Sequence, residues 1–434
     1  MSWEQAEEVK EGSATTAFAD YGLPTPIVTA LSGKGIETPF PIQAATIPDA
    51  LAGKDILARA QTGSGKTLGF GLPMLARLDQ GERGRHPRGV ILAPTRELAV
   101  QVADELAPMA ANLGLRMVLV AGGMGFGPQL KAFRKGVDIV VATPGRLIDL
   151  MEQGEADLSH VEMLVLDEAD HMSDLGFLPA VTQVMESVKE DAQKLLFSAT
   201  LDDAVSRIVK KFLHNPVTHQ VDENRASVTT MTHVVWHVET REKVQIAAKL
   251  AHRPGRTLVF VRTQRGADRI AQDFQESGVL AAALHGGLTQ GQRVRTLNAF
   301  KNSTLPVLIA TDVAARGIHV DDVSLVLQYD PPANEKDYLH RAGRTARAGR
   351  DGLVASLVQQ SQRRSVQRMM RMAGLDVEPR RVRLDDEELL EFAASARVAS
   401  EAVAAVIVVV VAAVAEATVA TAADVAAVAT KNVE

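Results

Sequence analysis

At 434 residues, 46% of them apolar and 23% charged, the chain has the length and make-up of a soluble globular protein with two or three separate cores. Zero cysteines exclude disulfides and thiolate metal sites, and suit a reducing, cytoplasmic setting. A formal net charge of −6 and 4% aromatic residues argue against a generally basic binder or one built on large aromatic platforms, so any nucleic-acid contact must come from a local surface.

The amino-terminal stretch carries Glu4, Glu7, Glu8 and Glu11 without an apolar run, so residues 1–17 read as an extension and not as a signal peptide. From Phe18 to Asn215, short β-branched runs alternate with longer helical segments. Residues 55–58, 89–92, 117–120, 138–141, 163–166 and 194–197 are predicted as buried strands, each followed by turn chemistry and a helix. The rhythm restarts after a polar linker at 216–228, with strands predicted at 257–261, 307–310, 325–329 and 353–357. The expectation is α/β architecture: two tandem domains, 18–215 and 229–360, each a parallel sheet with helices on both faces. Residues 361–392 mix arginines with the acidic patch Asp385–Glu388 and read as a charged, solvated extension. Residues 393–434 form an Ala/Val-rich tail, expected to be disordered or self-associating. GC-rich Gly/Arg codons read one base out of frame would also give such a run. Its longest uncharged stretch, Ala402–Ala415, is 14 residues and short for a membrane span.

Two motifs carry the chemistry. In Ala60-Gln61-Thr62-Gly63-Ser64-Gly65-Lys66-Thr67, the glycines let backbone N–H groups turn toward phosphates, and the following helix adds its positive end. Lys66 is placed to reach the β- and γ-phosphates, and the Thr67 hydroxyl to ligate Mg²⁺. About a hundred residues later, Asp167-Glu168-Ala169-Asp170 ends the apolar run Met163–Leu166. Asp167 is placed to hold Mg²⁺ and Glu168 to polarise an attacking water. A strand that presents acids opposite a phosphate loop is what nucleoside triphosphate hydrolysis needs.

With these motifs in this order, residues 18–360 resemble the DEAD-box RNA helicases, superfamily 2 ATPases with two RecA-like domains. Phe18 and Gly35–Gln43 resemble the family's adenine-sensing Q motif: the Gln43 amide would pair with adenine and Phe18 would stack on it, which points to ATP. Pro94-Thr95-Arg96, Gly122-Gly123 and Thr143-Pro144-Gly145-Arg146 resemble first-domain RNA contacts. Ser198-Ala199-Thr200 resembles the element that couples hydrolysis to strand separation through Asp167 or Asp170. In the second domain, Thr311, Asp312, Arg316 and Gly317 fall in the motif contacting RNA and the nucleotide ribose. His340-Arg341-Ala342-Gly343-Arg344-Thr345-Ala346-Arg347 matches the arginine-finger motif, with Arg344 and Arg347 as fingers and His340 as a coupling residue. Gly287 and His319 stand where acids are common, and Ala346 where glycine is. The resemblance implies a monomeric, ATP- and Mg²⁺-dependent clamp on single-stranded or short duplex RNA, closing around ATP and prying strands apart locally. Ribosomal or RNA-decay proteins would be its partners, with no membrane. The rival from another class is an ATP-gated RNA clamp or scaffold that never separates strands.

Overall fold

The computed structural model describes residues 7–8, 17–59, 64–82, 84–220, 231–315, 323–346 and 352–394. Fifteen strands lie among them. The first domain contains β1 (Glu7–Glu8), β2 (Ile56–Arg59), β3 (Gly89–Leu92), β4 (Met117–Val120), β5 (Ile139–Ala142), β6 (Met163–Leu166), β7 (Gln193–Ser198) and β8 (Val217–Gln220). They make one parallel sheet in the order β1-β8-β2-β7-β6-β3-β5-β4. The second contains β9 (Met231–His237), β10 (Arg256–Val261), β11 (Ala281–Leu284), β12 (Val307–Thr311), β13 (Val323–Gln328), β14 (Gly352–Val358) and β15 (Arg380–Arg381), ordered β11-β12-β10-β13-β14-β9-β15, again all parallel.

Strands β3, β5, β6 and β7 are buried at every residue, as expected where helices cover both faces of a sheet. Each sheet separates two apolar layers. Ile91, Val165 and Leu195 face one layer of the first domain, whereas Val90, Leu164 and Leu196 face the other. Side-chain caps fix where several helices start: Thr95 Oγ1 accepts from Leu98 N at 3.3 Å, and Asn334 Oδ1 from Asp337 N at 2.8 Å.

Three boundaries differ from the sequence expectation. Strand β8 falls in the segment read as linker, yet it pairs with β2 and belongs to the first sheet. Val217-Thr218-His219-Gln220 lacks the apolar run that marked the other strands. Likewise the backbone of Glu7–Glu8, within the expected extension, pairs with β8. Residues 361–392 are not a solvated appendage: the helix Arg363–Met372 buries Val366, Met369 and Met370, and Val382 and Leu389 are 1% and 0% exposed. Their apolar residues recur at helical spacing between arginines, so the charge masked an amphipathic face. Strands β8, β9, β11 and β15 were not predicted. Residues 395–434, where the tail reading falls, lie outside the described residues. No described helix is long and apolar enough to cross a membrane.

Candidate functional site

Parallel strands place all their following loops at one edge of a sheet, the usual ligand-binding edge of an open α/β fold. The phosphate loop follows β2 and the acidic motif follows β6, with β7 hydrogen-bonded between them. Gly65, with φ of 77°, starts the helix Lys66–Asp79. A Cβ there would come within 2.5 Å of both Gln43 Nε2 and Phe40 Cδ2, so both conformation and space demand glycine.

Lys66, 4% exposed, reaches across to the acids: its Nζ lies 3.2 Å from Asp167 Oδ1 and 3.4 Å from Glu168 Oε1. Burial works against its ammonium form, but Asp167, Glu168 and Asp170 outweigh that and hold its pKa above the ordinary lysine value. Asp167 is 0% exposed, and neither of its oxygens makes a hydrogen bond of ordinary geometry among the described residues. Burial pushes its pKa up to about 6, against the pull of Lys66. Glu168 is held well below the usual carboxylate range: Lys66, His171 and Arg344 overcome the opposing effect of burial. Its backbone is left-handed (φ 52°, ψ 56°), an uncommon conformation for a non-glycine residue that clusters at functional sites. A fully buried carboxylate with no hydrogen bond beyond its ion pair with Lys66 among the described residues, plus the Thr67 hydroxyl on the phosphate-loop helix, is a donor set suited to a hard divalent cation.

The third acid, Asp170, joins the two domains. Its Oδ2 accepts from Thr200 N at 3.0 Å and Thr200 Oγ1 at 2.8 Å, and lies 3.9 Å from His340 Nε2 of the second domain. Ser198 Oγ accepts from Asp170 N at 3.1 Å and donates to Thr200 O at 2.6 Å. Ser198 and Thr200 therefore meet Asp170, one of the two acids expected for them. Asp202, and not this segment, caps the next helix. Arg344 is 5% exposed, and its charge is among those acting on Glu168.

The Q-motif residues pack into the core and against the phosphate loop. Phe18 is 1% exposed and packs in the core, so its ring presents no open stacking face. Its backbone N–H donates to Glu37 O at 3.0 Å, pinning the segment that leads to Gln43. Gln43 is 1% exposed; its Oε1 accepts from Phe40 N at 2.8 Å and its Nε2 donates to Gly65 O at 2.7 Å. The amide thus holds the phosphate loop in this structure and keeps one further lone pair and one further N–H. The large exposed aromatic beside it is Phe40, at 52%.

Along the same edge, the expected RNA contacts of the first domain are knitted together. Pro94 is buried, Thr95 caps its helix, and Arg96 Nη1 donates to Gly122 O at 3.1 Å. Gly122, Gly123 and Gly145 are exposed. Arg146 lies over the Phe126 ring at 4.4 Å and donates to Met124 O at 3.2 Å. The Thr143 hydroxyl makes no cap bond to the helix that Pro144 begins. In the second domain, Thr311 ends β12, and Asp312 is held by both arms of Arg341, at 2.6 and 2.7 Å. That pairing engages the carboxylate expected at the nucleotide ribose. Thr62, Gly63, Arg316, Gly317, His319 and Arg347 lie outside the described residues.

Sequence reasoning missed three features. His171 Nδ1 is 3.2 Å from Glu168 Oε2. Arg293 Nη2 is 3.1 Å from Glu97 Oε1, and Lys336 Nζ lies 3.4 Å from Asp174 and 3.7 Å from Asp202, so both cations of the second domain reach acids of the first. The inter-domain pairs carry no sequence signal because their partners meet only when the domains are placed. His171 had one: it is a histidine one turn after the catalytic glutamate candidate.

Residues 40–208 match the DEAD/DEAH box helicase family model, and 242–349 match the helicase conserved C-terminal domain. The chain is 37% identical to the ATP-dependent RNA helicase CshA of Listeria monocytogenes, over 89% of this chain and 74% of that one. It is 40% identical to DeaD of Escherichia coli over 89% of its own length, spanning 62% of DeaD. Among solved structures, S. cerevisiae Dbp5 L327V bound to RNA and ADP BeF3 aligns with a TM-score of 0.78 and 28% identity, covering 88% of this chain and 99% of that one. Two parallel α/β domains, a lysine–acid cluster at the strand ends and these relatives lead to one conclusion: the chain belongs to the DEAD-box family of ATP-dependent RNA helicases.

Proposed function

We propose that this chain hydrolyses ATP when RNA brings its two domains together, and that closure locally separates short RNA duplexes or remodels RNA–protein complexes. The carrying observation is Asp170. One carboxylate oxygen is shared by Thr200 of the first domain and, at ion-pair distance, by His340 of the second. Any change at the hydrolytic acids is thereby felt at the domain interface.

The chemistry assigns roles. Lys66 leaves the acids to grip the β- and γ-phosphates, with the N–H groups around Ser64 and Gly65 turned toward the phosphate chain. Asp167 and Thr67 would hold Mg²⁺, which supplies charge neutralisation at the phosphates. Glu168, kept ionised, accepts a proton as water attacks the γ-phosphoryl group, and the bond to the ADP oxygen breaks. Arg344, with Arg347, offsets charge in the transition state, an effect worth about 10³ to 10⁵ in rate. Arg96, Arg146 and the exposed glycines face backbone phosphates and riboses along the sheet edge, which holds RNA without reading its sequence.

The relatives are named RNA helicases, which favours strand separation over a static clamp. The test is ATPase rate with and without single-stranded RNA, beside displacement of a short duplex. RNA-stimulated hydrolysis with ATP-dependent displacement is expected. Linkage further requires RNA to tighten ATP binding by the factor by which ATP tightens RNA binding. Hydrolysis indifferent to RNA would overturn the coupling.

A further inference from the structure

His171 follows the acidic motif directly and is buried, at 3% exposure, on the short helix Ala169–Asp174. Its Nδ1 lies 3.2 Å from Glu168 Oε2, while Lys66 takes the other oxygen, Oε1, at 3.4 Å. An ionised carboxylate only accepts hydrogen bonds, so the proton in the His171 contact sits on Nδ1. The far nitrogen, Nε2, is buried without a hydrogen-bond partner among the described residues. A buried ring with one unsatisfied nitrogen is costly, and an apolar side chain would fill this place more cheaply. That cost points to a task for the other nitrogen.

We propose that His171 is a positioning residue for hydrolysis: its Nδ1–H fixes the Glu168 carboxylate in the rotamer that receives the proton of the attacking water. The need is specific to this glutamate. Its backbone is left-handed, so its side chain leaves the strand end in a direction that the helix ladder does not set. Its contact with Lys66 must loosen when that lysine turns to the phosphates. The His171 contact comes from one turn along the same segment, so it survives that exchange. His171 itself touches neither nucleotide nor water; it acts through Glu168. The inference rests on Glu168 being the general base.

The experiment is steady-state ATP hydrolysis under saturating single-stranded RNA by His171→Leu, His171→Asn and His171→Gln, with Glu168→Gln as control and binding of a fluorescent ATP analogue measured for each. An asparagine amide nitrogen takes the place of Nδ1, whereas a glutamine amide nitrogen takes that of Nε2. His171→Leu and His171→Gln should lower kcat by about 10- to 100-fold, the range for removing an orienting partner of an active-site group. KM for ATP and analogue affinity should stay within about twofold, and His171→Asn should recover most of kcat. Equal loss in Asn and Gln, full kcat in Gln, or loss confined to KM would each overturn the proposal. If His171→Leu does not fold, the Asn–Gln contrast alone decides. An active Glu168→Gln would instead remove the general-base assignment itself, before His171 is judged.

Discussion

Two aspartates of the first domain are equally buried, at 0% exposure, and differently treated. Asp138 lies just before β5, at the amino edge of the sheet. It accepts from Arg116 N at 2.8 Å and Arg116 Nε at 3.0 Å, with Arg88 at 4.0 Å. Asp167 lies just after β6, at the carboxyl edge, with no ordinary hydrogen bond to either oxygen among the described residues and one lysine beside it. Asp55, before β2, repeats the amino-edge pattern: it accepts from Lys194 N and His214 N, both at 2.7 Å. Acids at the amino edge tie loops to the sheet, and the acid at the carboxyl edge keeps its lone pairs for something else. Burying a charge with few hydrogen-bond partners is costly, so the contrast separates acids bound into the scaffold from one that is not.

The division can be attacked from either side. At the working edge, Glu168→Gln should lower RNA-stimulated turnover by about 10² to 10⁴, the usual contribution of a general base, with ATP binding retained. Stopped-flow binding beside a phosphate-release assay reads both, and turnover at the wild-type rate would remove the edge's claim to chemistry. At the opposite edge, Asp138→Ala should cost about 1 to 3 kcal/mol of stability by leaving the part-buried Arg116 N–H without its acceptor, seen in denaturant unfolding, with kcat per folded molecule unchanged. A loss of kcat without a loss of stability would erase the distinction.

A finer test uses pH. Asp167 titrates near 6 in the folded chain against 3.8 for a free aspartate. Between those values the folded state binds more protons than the unfolded state. This contribution is therefore present below pH 3.8 and is lost as pH rises through about 6. Glu168, held low, acts in the opposite sense only below its ordinary value of 4.5, so above that pH the Asp167 contribution stands alone. Thermal melts of nucleotide-free protein from pH 4 to 7 should show a downward slope that Asp167→Asn flattens; an unchanged slope would assign it elsewhere. The smallest effect concerns Ala346, left-handed at φ 54° where the family favours glycine. Ala346→Gly relieves that backbone and should raise stability by up to about 1 kcal/mol, whereas a lower melting temperature would mean the methyl is packed to advantage.

Legibility followed chemistry more closely than architecture. Lys66, Asp167, Glu168 and Asp170 were readable because a glycine loop and an acid pair at a strand end have few other uses. The coupling of Ser198 and Thr200 to Asp170 was readable through family resemblance, although their own residue types also suit helix caps. Phe18 lies in the core, a place that an aromatic near a binding motif fills as readily as it meets a ligand. Strand β8 was invisible because Thr218, His219 and Gln220 break the apolar run that β2 pairing tolerates at this edge. The inter-domain pairs of Arg293 and Lys336 could not be read at all, since long-range ion pairs leave no periodicity behind.

The segment after the arginine-finger motif carries a further consequence. Strand β15 pairs with Trp236 and His237 of β9, and Phe392 meets the Trp236 ring edge-on at 4.9 Å. Without residues 380–394, the end of β9 at Trp236 and His237 would lose its neighbouring strand beside an uncovered indole, an invitation to strand-to-strand association with other copies. Those last described residues act as a hem at one end of the second sheet's margin, and a chain trimmed just past its recognisable motifs would trade solubility for brevity.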